Sequence, residues 1–154
     1  MSLKVLSLAL VLSTSAAVIL AADEPAAGLR EVFEAHEKAM NAHDLPGLMK
    51  LYAPGDQAVV MGTIPQERWV GAAEIENAYG HFFEDFDAGT VERDCPWLTS
   101  EVDGDVGWVT ATCIYRDSKD GTAREFALNV SSVLQKMDGD WKLRAMHYSN
   151  PTAP

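Results

Sequence analysis

Two side chains near the end of the sequence, His147 and Ser149, carry groups that can bind polar ligands or move protons. They alternate with Trp141 in the run DGDWKLRAMHYS, and residues two apart in a strand share a face. A type I turn with a bulge at Asp138-Gly139 would place Asn129 opposite His147. An imidazole beside an amide could bind a carbonyl or hydroxyl group. The structural alternative is a histidine whose hydrogen bonds are satisfied by Asn129 or by the backbone.

The other three histidines give weaker signals. His36 lies on the apolar stripe of a predicted first helix, where a histidine is more often a core or mouth residue than a catalyst. The run HEKAM has Met40 where the zinc motif His-Glu-x-x-His has its second histidine. His43, near a helix end, and His81, in the third helix, are expected to be solvated. No histidine pair has convincing ligand spacing, so the sequence predicts no metal. No cofactor is expected either.

Apolar and aromatic residues are candidates for a pocket wall, although aromatic residues more often belong to a core. Trp69 is the strongest of these, because it follows Gln-Glu-Arg in a segment that could lie over a pocket mouth. Isomerase chemistry would need a carboxylate base in an apolar setting with neutral proton donors nearby, and no carboxylate matches convincingly. The remaining candidates for the wall are Met61, Trp97, Tyr115 and Tyr52.

The elements that must position these residues follow a simple order. Apolar residues at helical spacing predict helices over 23–43 and 72–87, with a short helix after Asp44 between them. One strand is predicted over 57–63, and 64–71 is predicted as a loop. Four strands separated by Asp-Gly turns fill the rest of the chain. The order predicts an α+β fold, a curved antiparallel sheet with helices packed on one face.

The first 22 residues are typical of a cleaved secretory signal peptide, with an apolar run that ends in small residues before Asp23. The alternative is an uncleaved membrane anchor. Residues 23–154 show no linker and are predicted to form one domain, periplasmic or secreted. The full chain has 154 residues and a formal net charge of −11, which disfavours nucleic acid and anionic membranes as partners.

The two cysteines, Cys95 and Cys113, suggest a disulfide in an exported protein, with two buried free thiols as the alternative. The turn between them decides the register. A two-residue turn would put them on opposite faces of the sheet. A loop of Asp103-Gly104-Asp105 would place them directly opposite each other, and a loop of Val102-Asp103-Gly104 with a bulge would offset them by two residues. The sequence leaves the pairing open.

Four segments carry a resemblance to a known family: AMNAHDLPGLMKLYAPGDQAVVMGT, RWVGAAEIENAYGHFF, DGDVGWV and DGDWKLRAMHYS. The pattern is similar to the SnoaL-like branch of the nuclear transport factor 2-like superfamily, which shares its fold with ketosteroid isomerase. The resemblance implies a cone-shaped α+β half-barrel with a pocket between the helices and the sheet. By this analogy the odd-numbered residues of the last strand face the helices, so His147 and Ser149 would point toward the open mouth.

The resemblance also implies a homodimer through the outer face of the sheet. If the odd-numbered residues fill the cone, the even-numbered apolar residues should form that interface: Phe126, Leu128, Val130, Met146 and Tyr148.

Two functions remain open, because a fold does not determine function. The preferred one is an exported domain that binds a small apolar organic molecule in the cone pocket without catalysis. The alternative is a cofactor-independent isomerase, cyclase or dehydratase of the ketosteroid isomerase-like type. Neither needs a membrane after the signal is cleaved.

Overall fold

Three helices lie against one six-stranded sheet in the computed structural model, which describes residues 24–151. The helices are α1 (Glu24–Asn41), α2 (Leu45–Met49) and α3 (Ala72–Phe82), followed by a 3-10 turn at Phe83–Asp85. No helix in this part of the chain is long and apolar enough to cross a membrane. The predicted signal peptide, residues 1–22, lies outside the described residues. The strands are β1 (Val59–Met61), β2 (Arg68–Val70), β3 (Glu92–Asp103), β4 (Val106–Lys119), β5 (Thr122–Met137) and β6 (Asp140–Ser149).

The sheet has the order β2-β1-β6-β5-β4-β3. Strands β3 to β6 form an antiparallel meander, and β1 pairs with β6 in parallel. The predicted α+β class, with helices and a curved sheet, is confirmed. One difference is β2, which lies in the segment predicted as a loop and pairs with β1 over only three residues.

The turns that connect the long strands are tight. Asp120-Gly121 and Asp138-Gly139 each have positive φ at both residues, as a two-residue type I′ turn requires. Met137 therefore pairs with Asp140, and the type I turn with a bulge that would place Asn129 opposite His147 does not form. The third turn, between Asp103 and Val106, also contains two residues.

The core forms where α1 packs on the inner face of the sheet. Leu29 and Phe33 of α1 are buried, and an added Cβ at Gly107 of β4 would lie 2.6 Å from Leu29 Cδ1. Each such side chain stabilises the fold by about 1.5–3 kcal/mol when it is fully buried. The inner face of the sheet is formed by Val109, Ala111, Val130, Ser132, Leu134, Leu143 and Met146, all buried.

A bulge in β6 decides which residues face this core. Leu134 pairs with Leu143 but Val133 pairs with Ala145, so Arg144 is an extra residue. Its Nε donates to the Gln57 carbonyl oxygen at 2.6 Å. Because one extra residue reverses the facing of every residue beyond it, the second half of β6 turns its even-numbered side chains inward.

The turn and the bulge together overturn the predicted dimer surface. The two-residue turn at Asp138-Gly139 pairs Leu134 with Leu143 and so puts the even-numbered side chains of β5 on the inner face, and the Arg144 bulge does the same for the second half of β6. Val130 and Met146 are buried in the core, and Leu128 and Tyr148 pack against it. Phe126 stacks on Tyr115 with ring centroids 5.5 Å apart. The interface predicted from even-numbered residues is therefore wrong in its membership.

A second bulge, in β3, brings the cysteines together. Asp94 pairs with Ile114 and Trp97 pairs with Thr112, so the register shifts by one residue between them. Cys95 and Cys113 form a disulfide bond. The two-residue turn alone would have separated them, and the bulge restores them to one face. Pro96 fits at this position because a proline has no N–H to donate to a ladder.

Candidate functional site

The predicted pair of His147 and Asn129 does not lie in the cone. His147 is exposed and pairs with Ser131, while Asn129 is exposed and pairs with Ser149. The Asn129 amide oxygen accepts a hydrogen bond from Thr112 Oγ1 at 2.9 Å. The prediction that His147 and Ser149 point inward is wrong, because the Arg144 bulge reverses their facing.

Two more candidates lie on the same outer face. Trp97 is 54% exposed and pairs with Thr112, and Met61 is 36% exposed and lies beside His147. Trp69 is different, because it is half-buried, pairs with Val60 and packs against the core. The outer face therefore carries five of the nine predicted site residues: His147, Asn129, Ser149, Trp97 and Met61.

Two candidates, His36 and Tyr52, meet in the interior, together with Tyr79, which the sequence did not single out. His36 Nε2 lies 3.0 Å from Tyr52 Oη and 3.2 Å from Tyr79 Oη. The two phenol oxygens are 2.5 Å apart. All three side chains are buried, so they form a closed triangle of hydrogen-bonding atoms between α1, α3 and the sheet.

This triangle is uncharged at neutral pH. Burial lowers the pKa of His36 from 6.5 to about 3, and the positive charge of Arg93 acts in the same direction. Burial also raises the pKa of Tyr52 and Tyr79 above the ordinary value of 10.0. The hydrogen bond with Tyr52, and after it Tyr148 on β6, partly opposes the rise in the Tyr79 pKa. The phenols therefore keep their protons and remain hydrogen-bond donors.

A second group lies next to the triangle and contains the predicted residue Tyr115. Glu37 Oε1 lies 3.4 Å from Tyr115 Oη, 3.6 Å from Arg93 Nη1 and 4.0 Å from His36 Nδ1. Burial raises the pKa of the Glu37 carboxyl, and Arg93 opposes that rise. The Glu37 carboxyl therefore faces three potential donors, and each of these contacts is longer than an ordinary hydrogen bond.

Arg93 is unusually enclosed for an arginine. Its side chain is 9% exposed, its Nη2 donates to Glu34 Oε1 at 2.6 Å, and its guanidinium lies 4.3 Å from the centroid of the Phe33 ring. Its Nη1 and His36 Nδ1 are buried without a hydrogen-bond partner among the described residues. Buried polar atoms normally have partners, so these two are unsatisfied polar atoms beside Glu37.

An open cleft of about 310 Å³ gives this group access to solvent. The cleft lies between α1 and the start of β3. Its lining residues are Glu34, Glu37, Lys38, Asn41, Val91 and Arg93. A larger cleft of about 420 Å³ lies along α2 and α3, where Gly80 and His81 are among its lining residues. The smaller cleft is the better candidate site, because only it includes Glu37 and Arg93.

The residues that sequence reasoning missed had modest signals. Glu37 stands one helical turn after Phe33, at the edge of the apolar stripe of α1. Arg93 precedes Cys95 by two residues and therefore shares its face in β3. Within residues 24–151 no group of three or more histidine, cysteine or acidic side chains is placed to hold a metal ion.

Comparisons with known proteins agree with this architecture. A family model described as the SnoaL-like domain matches residues 29–153. No curated protein matches the chain.

Two similar solved structures illustrate the fold. A provisionally named dehydratase of the NTF2-like family from Streptomyces avermitilis is 21% identical, with a TM-score of 0.73 over 85% of this chain and 99% of that one. A ketosteroid isomerase-like protein from Erwinia carotovora atroseptica is 21% identical, with a TM-score of 0.69 over 85% and 99% of the two chains. At such identities the likeness shows the fold alone.

Proposed function

Because the chain belongs to the SnoaL-like domain family, in the nuclear transport factor 2-like superfamily, we propose that it binds a small organic molecule in the cleft between α1 and β3. The fold suggests small-molecule binding or an isomerase-like function. The observation that carries the proposal is the position of Glu37, a carboxyl with a raised pKa that faces three potential donors beside an open cleft.

The lining of the cleft favours a particular kind of ligand. Glu34 and Glu37 are matched in number by Lys38 and Arg93, so the lining does not select strongly for either sign of charge. Val91 offers an apolar contact, and the guanidinium of Arg93, which also lines the cleft, carries N–H donors for an oxygen. These features support a largely apolar molecule that carries one carbonyl or hydroxyl group.

Acid–base catalysis is the second candidate, and Glu37 again favours it. A carboxyl with a raised pKa beside neutral phenols is the combination that proton transfer at a carbon next to a carbonyl requires. The Tyr115 hydroxyl faces the Glu37 carboxyl directly. The hydroxyls of Tyr52 and Tyr79 lie deeper in the core, where His36 separates them from Glu37. A ligand bound in the cleft could therefore lose a proton to Glu37 in an isomerisation or a dehydration.

We also retain two proposals on the setting of the protein. Export to the periplasm or out of the cell, with removal of residues 1–22, agrees with a disulfide between the two cysteines. A homodimer through the outer sheet face agrees with the exposed apolar residues on that face: Met61, Val70, Trp97, Trp108 and Val133.

The test is native mass spectrometry on protein purified from its own host, with two matched variants. Glu37→Gln should reduce the fraction of ligand-bearing protein, or should keep the ligand and lose its turnover if the protein is an enzyme. Glu76→Gln, in the cleft along α2 and α3, should leave both unchanged. If Glu76→Gln releases the ligand and Glu37→Gln does not, the site is in the wrong cleft.

A further inference from the structure

We propose that the Cys95–Cys113 disulfide is a redox-sensitive positioning device for Arg93 and Tyr115, so that its reduction loosens one wall of the ligand cleft and leaves the rest of the sheet in place. That this wall contacts a ligand rests on the proposed function. That reduction loosens Arg93 and Tyr115 does not depend on it.

The position of the disulfide supports this role. Arg93 pairs directly with Tyr115, on the inner face of β3 and β4. Cys95 follows Arg93 by two residues and Cys113 precedes Tyr115 by two, so the disulfide is the adjacent rung on the same face. Any change in the separation of the two strands at the disulfide is passed directly to the Arg93–Tyr115 rung.

The strand that carries Arg93 is poorly held by its ladder. β3 is an edge strand, so it pairs with β4 alone. Before the bulge only three pairs exist, formed by residues 92–94, and the register then shifts between Asp94 and Trp97. Pro96 adds no backbone donor there. The disulfide is therefore the covalent link across the interruption in the ladder.

The other end of this segment is held by Asn41 at the end of α1. Its side chain accepts from Val91 N at 3.0 Å and donates to the Val91 carbonyl oxygen at 3.1 Å. Arg93 lies between these two attachments, where it contacts Glu34 and the Phe33 ring. Without the disulfide, this segment would be held by the Asn41 contact, the Arg93–Glu34 ion pair and the three edge pairs.

The chemical step is a simple exchange. A dithiol reductant transfers two electrons and two protons to the Sγ–Sγ bond, which becomes two thiols, while the reductant closes to its own disulfide. The chain has two cysteines in all, so no third thiol in this chain can capture the intermediate. Cys113 is fully buried and Cys95 is half-buried at the edge strand, so movement is expected mainly in β3.

The test compares oxidised protein, protein reduced with dithiothreitol, and the Cys95→Ala/Cys113→Ala variant by amide hydrogen exchange and NMR. We expect amides of residues 92–94 to exchange at least about tenfold faster without the disulfide, with the β5–β6 hairpin unchanged. The Arg93 side-chain resonances should lose the ring-current shift given by Phe33. Arg144, in the β6 bulge, serves as the internal control. Reoxidation of the reduced protein should restore both signals.

Three outcomes would overturn the proposal. Unchanged exchange at 92–94 would mean that Asn41 and the ladder suffice. A uniform rise across the sheet, or unfolding of both the reduced protein and the variant, would mean that the disulfide serves the whole fold. None of these measurements needs a ligand. The proposed ligand binding is tested separately by the Glu37→Gln variant, so the two proposals can fail independently.

Discussion

His36 shows how a titratable residue can be fixed in one protonation state by its position. Its ring is fully buried, its Nε2 contacts two phenols, and among the residues that the structure describes no carboxylate lies closer to it than Glu37 Oε1, 4.0 Å from its Nδ1. Burial lowers the pKa of His36 to about 3. As the pH falls, the imidazole is therefore protonated near pH 6.5 in the unfolded chain but only near pH 3 in the folded chain. The folded state should therefore lose stability as the pH falls from about 6.5 toward 3.

The substitution His36→Gln tests this directly. Glutamine does not titrate, so the loss of stability between pH 6.5 and pH 3, up to roughly 4 kcal/mol from His36, should disappear from the pH profile. Denaturant unfolding of both proteins across this range measures the difference. Glu37 acts in the opposite direction because burial raises its pKa, but it is present in both proteins and cancels. Parallel profiles for the two proteins would contradict the assignment.

Asp87 gives a second prediction at this scale. Its carboxylate accepts from Ser118 Oγ at 2.6 Å and from Gly121 N at 3.0 Å, and these hydrogen bonds lower its pKa below 3.8. A lowered pKa gives stability that is present above pH 3.8 and is lost as the pH falls through the folded value. Asp87→Asn should lower the melting temperature at neutral pH and remove part of the fall seen in acid. Asp103→Asn, at an exposed acid, is the control.

At the scale of elements, two glycines should respond in opposite directions to the same methyl group. An added Cβ at Gly80 in α3 meets nothing within 4 Å, whereas one at Gly107 in β4 meets Leu29 Cδ1 at 2.6 Å. Gly80→Ala should therefore stabilise the protein by about 0.5–1 kcal/mol through helix propensity. Gly107→Ala should destabilise it by about 1–3 kcal/mol through overpacking. Urea unfolding of the two variants gives both values, and equal signs would contradict the packing described.

The bulges explain why the elements were predictable and their facings were not. Alternating apolar residues and Asp-Gly turns locate β4, β5 and β6, since these signals are local. A bulge changes neither composition nor turn signals, yet Arg144 alone moves His147 from the inner face to the outer one. The bulge before Trp97 has the reverse effect and brings Cys95 to Cys113.

The candidate site was only partly predictable for a related reason. His36 and Tyr52 lie on apolar stripes and could be assigned to the interior from spacing alone. Glu37 and Arg93 are charged residues, which are usually solvated. Their burial follows from the contact between α1 and β3, elements more than 50 residues apart, as the Glu34–Arg93 pair shows. No local pattern contains that information.

At the scale of the whole molecule, the outer sheet face carries the proposed dimer contact. Trp108 pairs directly with Val133 on this face, and the two side chains are 39% and 40% exposed. Val133→Lys should place a charge in the contact and yield a monomer. Phe82→Lys, at an exposed apolar residue of α3, should leave the assembly unchanged. Light scattering on both variants decides the matter, and a monomeric wild-type protein at micromolar concentration would refute the dimer.

The parallel pairing of β1 with β6 has a consequence for the order in which the chain folds. The meander from β3 to β6 closes through two-residue turns, so its contacts are local and can form early. β1 can join only after β6 exists, because Met61 pairs with His147 near the opposite end of the described chain. The conformational entropy lost in closing that long loop opposes the β1–β6 pairing until its contacts have formed. We therefore expect substitutions in the β4–β5 hairpin to slow folding, and substitutions in β1, such as Val60→Ala, mainly to speed unfolding.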